Sequence, residues 1–369
     1  MDQHLRNFIP NLRCPVSREE IREMTADELE SLNNSIRSGA ISNREGKKIE
    51  EPLKEALVTT DGVYVYPVTD GYVAEMLPDS AISTKGMKVK PEEFADDKKK
   101  VRDFYDDYGW QKSDDSSYKD TVTFEDRRPV SKKYWSRCHL RLNKYLGSGD
   151  YLLDVASGAI PNDEYLTYSQ SFKLRICMDF SILAVKEAAA RLDGRGIFIL
   201  GDMTCIPIAD HCIDAVISMH TVYHVPMAQQ TQAVAESYRV LKPGKQAVIV
   251  YSWRDSELMK AAFKIWKPVL NFYKQIRGKA NKMVGPKTAD RPDLFVQQQN
   301  YDWFSKHVKK QYNARLVVYS AISRSFSHTF LRKKMFGNQV SSFIYWLENK
   351  FPSVLGRWGQ YPVFILNKQ

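Results

Sequence analysis

Tyr151-Leu152-Leu153-Asp154-Val155-Ala156-Ser157-Gly158-Ala159-Ile160-Pro161 reads as a short apolar strand that ends in an acid and then turns through small residues. Two later apolar runs also end in acids. Asp179 follows Leu174-Arg175-Ile176-Cys177-Met178, and Asp202 follows Ile197-Phe198-Ile199-Leu200-Gly201. Around them strands alternate with helices. Strands are expected near 151–155, 174–178, 197–200, 213–218 and 246–251, and two late ones at Arg315–Tyr319 and Tyr361–Leu366. Helices are expected over Ser181–Leu192 and Gln229–Leu241, the second stopped by Lys242-Pro243-Gly244. This alternation predicts an α/β fold whose sheet is parallel and covered by helices on both faces. Acids at successive strand ends then converge on the edge where open α/β sheets bind ligands.

The turn after Asp154 selects among ligands. Small residues such as Ala156, Ser157 and Gly158 let backbone N–H groups approach a ligand closely. A dinucleotide loop needs three glycines to seat a pyrophosphate on a helix N-terminus, and only Gly158 is present here. A ligand without a diphosphate is expected, which favours S-adenosylmethionine over NAD. Asp179, followed by Phe180, stands where a carboxylate meets ribose hydroxyls. Asp202 would accept from an adenine amino group with Met203 flanking the ring, although an aspartate there also suits a helix N-cap. His220, Tyr223 and His224 follow the fourth strand, where the methyl group would sit. A near-neutral histidine can serve as a general base, and two such histidines can equally be hydrogen-bonded loop residues.

Together these residues, with Arg239-Val240-Leu241-Lys242-Pro243-Gly244-Lys245 and the strand after it, resemble a class I S-adenosylmethionine-dependent methyltransferase of the quinone-biosynthesis or small-metabolite type. The resemblance spans Tyr151 to Trp253. It implies a Rossmann-like, seven-stranded sheet with helices on both faces, the expected strands numbering seven. It also implies Asp154 and the backbone near Gly158 at the methionyl end, Asp179 on the ribose, and Asp202 with Met203 at the adenine. His220 is assigned both to the cofactor and, with Tyr223 and His224, to catalysis. Ala156 and Ile160 depart from the family, which has glycines there. Methyl transfer from a sulfonium needs mainly in-line positioning and, for an oxygen or nitrogen acceptor, removal of a proton.

The flanks divide the chain further. Residues 1–90 form a small α+β unit with a hairpin at Asp61-Gly62. Cys14-Pro15-Val16-Ser17, Tyr66-Pro67-Val68-Thr69-Asp70-Gly71 and Met76-Leu77-Pro78 resemble the zinc-ribbon-like domain that partners tRNA and protein methyltransferases. The second cysteine of the knuckle is replaced and no later pair supplies a partner, so no metal is expected. Residues 91–148 are a charged, aromatic linker with cofactor-covering helices, in which Tyr105 is a candidate to face the sulfonium. Residues 149–369 form the main domain, with helical insertions at 255–314 and 321–360 that would build the acceptor pocket.

The 369 residues carry a net charge of +10 and five scattered cysteines. That composition suits a reduced, cytoplasmic protein and anionic partners. No run of ~18 apolar residues or signal pattern is present. Over 258–283, Leu258, Ala262, Ile265, Trp266, Val269, Phe272, Tyr273 and Ile276 recur at helical spacing opposite Lys260, Lys264, Lys267 and Lys274. Such a basic amphipathic helix would lie on the inner face of an anionic membrane or close over substrate. The expected activity is methylation of an oxygen or nitrogen of a small or lipid-linked metabolite. The alternatives are an RNA methyltransferase, made less attractive by the lack of an RNA-binding module, and a non-catalytic cofactor-binding scaffold.

Overall fold

The structure is a computed structural model that describes residues 1–84, 95–114, 116–265, 293–333 and 336–369. Its strands are β1 (Ile21–Glu23), β2 (Ala56–Thr59), β3 (Tyr64–Thr69), β4 (Val73–Glu75), β5 (Ile82–Ser83), β6 (Gly149–Val155), β7 (Phe172–Asp179), β8 (Ile197–Leu200), β9 (Ile213–Met219), β10 (Leu241–Val250), β11 (Arg315–Ser320) and β12 (Tyr361–Asn367). They form a single sheet in the order β1-β2-β3-β4-β8-β7-β6-β9-β10-β12-β11, with β5 paired to β3.

The centre of this sheet is doubly wound. β8, β7, β6, β9 and β10 run parallel, and β12 returns antiparallel between β10 and β11. Strand order reverses at β6, so a crevice opens between the carboxyl ends of β6 and β9. The parallel strands are apolar on both faces because helices cover both. Leu153, Ile176, Ile199, Val216 and Ile249 pack in one core layer, while Leu152, Cys177, Phe198, Ala215 and Val248 pack in the other. Helices Ile182–Arg191 and Gln230–Arg239 fall close to the expected spans. β10 starts at Leu241, five residues earlier than expected, because the chain re-enters the sheet through an irregular register with Gly244 at φ +77°.

The N-terminal unit is joined to this sheet. β2 and β3 form the expected hairpin, and β4 pairs in parallel with β8 through Val73↔Phe198, Ala74↔Ile199 and Glu75↔Leu200. Leu5, Phe8 and Leu12 are fully buried in the same core layer as Leu153, and Phe8 meets Tyr151 edge-on. The stretch 18–38 holds a short strand and a helix. β1 comes first, and Ala26–Arg37 then begins at a capping box in which Thr25 and Glu28 satisfy each other's backbone amides. The Cys14 sulfur is hydrogen-bonding with the Tyr66 hydroxyl at 3.1 Å and accepts from the Ser17 amide at 3.3 Å.

Of the basic amphipathic segment expected over 258–283, only 258–265 falls among the described residues, and 266–283 lies outside them. Met259 is buried in that stretch, and Leu258, Ala262 and Phe263 pack against the core. Lys260 pairs with Asp255 at 3.0 Å and Glu257 at 3.1 Å. Among the described residues no helix is long and apolar enough to cross a membrane.

Candidate active site

A cavity of about 460 Å³ lies at the carboxyl edge of β6, β7, β8 and β9. It is lined by every residue singled out from the sequence: Asp154, Ala156, Ser157, Gly158, Asp179, Phe180, Asp202, Met203, His220, Tyr223, His224 and Tyr105. That volume is within the usual range for a small-molecule site.

The turn after β6 keeps an unusual backbone. Ala156, Gly158 and Ile160 all have positive φ, at +55°, +56° and +53°. Two non-glycine residues therefore hold the left-handed conformation that glycine adopts freely. Gly158 is required for space as well, because a Cβ there would lie 2.5 Å from the Trp110 ring. Ile160 is held in place by its fully buried side chain.

Each of the three acids has a protein partner. Arg175 Nε donates to Asp154 Oδ2 at 3.1 Å, one terminal nitrogen of the same guanidinium also donates to Oδ2, and the other donates to the Tyr165 carbonyl at 2.7 Å. Both side chains are buried, so the acid expected at the methionyl end is also half of an internal ion pair. Asp179 accepts from the Gly158 amide at 2.8 Å and the Ser181 amide at 2.9 Å. Burial raises its carboxyl to about 6 against the pull of these amides. Ser181 in turn caps helix Ile182–Arg191 by accepting from the Ala184 amide. Asp202 Oδ1 accepts from the Thr204 amide and hydroxyl at 2.7 and 2.8 Å, and Oδ2 accepts from Lys98 Nζ at 2.6 Å.

Lys98 belongs to helix Ala95–Phe104, which leads through a wide turn, Tyr105–Gly109, to Trp110. This segment covers the cavity. The Tyr105 and Trp110 rings stack at 5.3 Å, Tyr105 meets His224 edge-on at 6.2 Å, and the Arg102 guanidinium lies over Phe180 at 5.5 Å. Asp106 accepts from the Ser181 hydroxyl, which ties the cover to the helix below.

The histidines differ in their surroundings. His224 Nδ1 lies 2.8 Å from the Phe295 carbonyl. That contact requires a proton on Nδ1 and leaves Nε2 as an acceptor. Burial lowers its pKa to about 4, so the ring is neutral at physiological pH. His220 has φ +62°, and burial lowers its pKa to about 3. Its buried Nδ1 has no hydrogen-bond partner among the described residues. The His220 ring meets Tyr319 at 5.1 Å and Tyr361 at 5.2 Å. Trp135 stacks near Tyr319, and the Tyr319 hydroxyl and His139 Nδ1 are 2.8 Å apart. These rings and Glu125, whose pKa burial raises, form the far wall of the cavity.

Sequence reasoning did not find Lys98, Arg175, Trp135, His139, Glu125 or the two strand-end tyrosines. Lys98 sits in a Lys98-Lys99-Lys100 run whose members look alike until one is turned inward. Tyr319 and Tyr361 were legible only as strand residues, though their place at the carboxyl edge follows from the strand order.

Residues 153–249 match the family model described as a methyltransferase domain. The chain is 28% identical over 148 residues to a demethylmenaquinone methyltransferase of Paenarthrobacter aurescens, a match covering 40% of this chain and 53% of that protein. It is 34% identical to a demethylmenaquinone methyltransferase of Renibacterium salmoninarum over 27% of this chain and 40% of the relative. The matches thus span about half the length of these curated relatives, or less. Among solved structures, a Haemonchus contortus phosphoethanolamine N-methyltransferase 2 with phosphomonomethylethanolamine and S-adenosylhomocysteine is similar at 15% identity and a TM-score of 0.37. That likeness covers 63% of this chain and 52% of the other.

Proposed function

We propose that the chain is an S-adenosylmethionine-dependent methyltransferase acting on an oxygen or nitrogen of a small or lipid-linked metabolite. One observation carries this reading. A positive-φ turn, three strand-end acids and an aromatic cover share one cavity at the switch point of a doubly wound sheet. The match of 153–249 to the methyltransferase-domain model supports it.

The residues present fit the cofactor. Asp179 offers a carboxylate for ribose hydroxyls, and the loop at Ala156–Gly158 brings backbone close to the methionyl end. Asp202, held by Lys98 and Thr204, and Met203 flank the position suited to the adenine. Tyr105 and Trp110 present ring faces to a cation. The bound cofactor supplies an activated methyl group on a sulfonium.

The acceptor is assigned to the half of the cavity lined by Trp135, His139, Tyr319, Tyr361 and Glu125. An aromatic wall of this kind favours an acceptor with a ring or an unsaturated apolar body. His224 Nε2 is the group best prepared to take a proton from it, because its Nδ1–H is fixed on the Phe295 carbonyl. Tyr223, whose ring lies 4.6 Å from His224, orients the same group. Catalysis then rests on alignment, on exclusion of water by the Tyr105–Trp110 cover, and on proton removal.

Calorimetric titration of S-adenosylmethionine into the folded chain tests the reading. A saturable one-to-one isotherm, competed by S-adenosylhomocysteine, is expected. No heat of binding by folded protein would sink it. Transfer of a labelled methyl group to a lipid-extract or small-metabolite fraction then identifies the acceptor.

A further inference from the structure

The polypeptide between β11 and β12 carries an apolar face that is uncovered among the described residues. Eleven large hydrophobic side chains are strongly exposed among the described residues, and six of them lie within 336–358: Phe336, Phe343, Trp346, Phe351, Val354 and Trp358. This group holds every strongly exposed aromatic ring described. Trp346 is 55% exposed and Phe336 is 71% exposed, so these are not edges of the core.

The two helices here, Gly337–Lys350 and Pro352–Trp358, are anchored by their opposite sides. On the first, Ser341 and Glu348 are buried, and Arg141 reaches Glu348 at 2.8 Å. Phe343, Trp346 and Lys350, three and seven residues along, share the outward side. The Phe343 and Trp346 rings stack at 5.8 Å. On the second helix, Gly356 is pressed against the Val317 backbone of β11, where an added Cβ would lie 2.6 Å from a carbonyl oxygen. Val354 and Trp358, two residues to either side, therefore point away from the sheet.

Charge identifies the partner. Segment 321–360 contains six lysines and arginines and a single acid, Glu348. That acid is fully buried in its pair with Arg141. Arg332, Lys333, Lys350 and Arg357 are exposed, and Arg357 lies over the Trp358 ring at 5.0 Å. A protein partner would be met by an apolar patch with a rim of mixed charge. Tryptophan and phenylalanine beside unopposed cations instead match the headgroup layer of an anionic bilayer, where amphipathic rings settle and basic side chains meet phosphates.

We infer that 336–358 docks the protein on an anionic lipid surface. This surface is separate from the 257–265 helix, on which Leu258, Met259, Ala262 and Phe263 pack inward and Ile265 is exposed. It adjoins the cavity, since Tyr319, next to the last residue of β11, and Tyr361, the first residue of β12, stand in the cavity wall on either side of it. The inference stands on the exposed face and its charge, not on the methyltransferase reading, and its test uses no cofactor.

The test is co-sedimentation of the full chain with vesicles of phosphatidylcholine alone or with roughly one-third phosphatidylglycerol. Binding only to the anionic vesicles, weakened by salt, is expected. Phe343→Ser with Trp346→Ser should lower it ~10-fold, and Lys350→Gln with Arg357→Gln by roughly five-fold per charge. Leu140→Ser, at an exposed apolar residue outside the face, should leave it unchanged. Circular dichroism confirms that each variant is folded. Equal binding to both vesicle types, or wild-type binding by the double variants, would overturn the proposal. So would absent vesicle binding with a dimer, seen by light scattering, that Trp346→Ser dissolves, for the face would then join two copies of this chain.

Discussion

The Gly158 amide donates to the Asp179 carboxylate at 2.8 Å, joining the turn after β6 to the end of β7 across 21 residues of sequence. The carboxylate therefore both staples the turn and faces the cavity. Asp179→Ala removes a charged acceptor from backbone amides and from the proposed ribose site. Binding of S-adenosylmethionine should weaken by about 1.5–3 kcal/mol per charged hydrogen bond lost. Calorimetry measures this, and an unchanged dissociation constant would separate Asp179 from the cofactor.

The same carboxyl gives a pH dependence. Burial raises its pKa from 3.8 to about 6. Between these values the folded chain holds a proton that the unfolded chain has released. Stability therefore falls as pH rises from about 4 to about 6, by roughly 3 kcal/mol from this group. Ribose hydroxyls donate to the ionised form, so cofactor affinity should rise across the same window. Denaturation in urea and calorimetry at pH 4.5 and 7, wild type against Asp179→Asn, read the two effects, and the variant should flatten both.

Ala156 and Ile160 should respond oppositely to glycine. Both have positive φ, but Ile160 is fully buried in the core while Ala156 has a single methyl group on the cavity side. Ala156→Gly relieves about 1–2 kcal/mol of left-handed strain and gives back about 0.5–1 kcal/mol to the freer unfolded chain, for a net gain of ~0–1.5 kcal/mol. Ile160→Gly relieves similar strain but empties a core site, and should lose ~2–4 kcal/mol. Urea midpoints at constant m-value distinguish the two. A loss in both variants would mean that the turn is not strained.

Lys98 and Asp202 form a buried pair between the cavity's cover and the sheet. Removing one partner of such a pair leaves a charge without compensation, at ~3–5 kcal/mol. Lys98→Met should thus release helix Ala95–Phe104, seen as faster hydrogen exchange over 95–110 and weaker cofactor binding. Restored protection with Asp202→Asn in the same chain would show that the uncompensated Asp202 charge, not the loss of Lys98 packing, opens the cover. Equal protection in wild type and Lys98→Met would refute the latch.

The contrast between Asp179 and Lys98 shows how far the sequence could be read. Strand ends at Asp154, Asp179 and Asp202 were legible because each closes an apolar run, and parallel alternation places successive ends on one edge. What engages those acids was not legible. Lys98 reaches Asp202 across 104 residues, and nothing local distinguishes it from Lys99 or Lys100. Arg175 looked like a polar interruption of β7, yet it is buried and neutralises Asp154. The parallel pairing of β4 with β8 was hidden for the same reason. A three-residue strand has too short a pattern to announce its partner. Ala156 and Ile160 broke the glycine pattern, but tertiary packing imposed the backbone that glycine would have taken without help.

His224 supplies the last test. Its Nδ1–H is fixed on the Phe295 carbonyl, and burial holds its pKa near 4, below the ordinary 6.5. A base with this environment is already unprotonated throughout the neutral range. At saturating cofactor, where Asp179 is held ionised by the ribose, kcat should rise with pH only through about 4 and stay level from 5.5 to 8. His224→Gln can still donate to the Phe295 carbonyl but cannot accept a proton, and should lower kcat by ~10²–10⁴-fold with little change in cofactor affinity. His220→Gln, at the ring whose Nδ1 has no partner, should raise the acceptor KM more than it lowers kcat if it orients the acceptor. A kinetic limb near 6.5 that persists in His224→Gln would assign proton removal to another group, or to none, as an acceptor that is already deprotonated would allow.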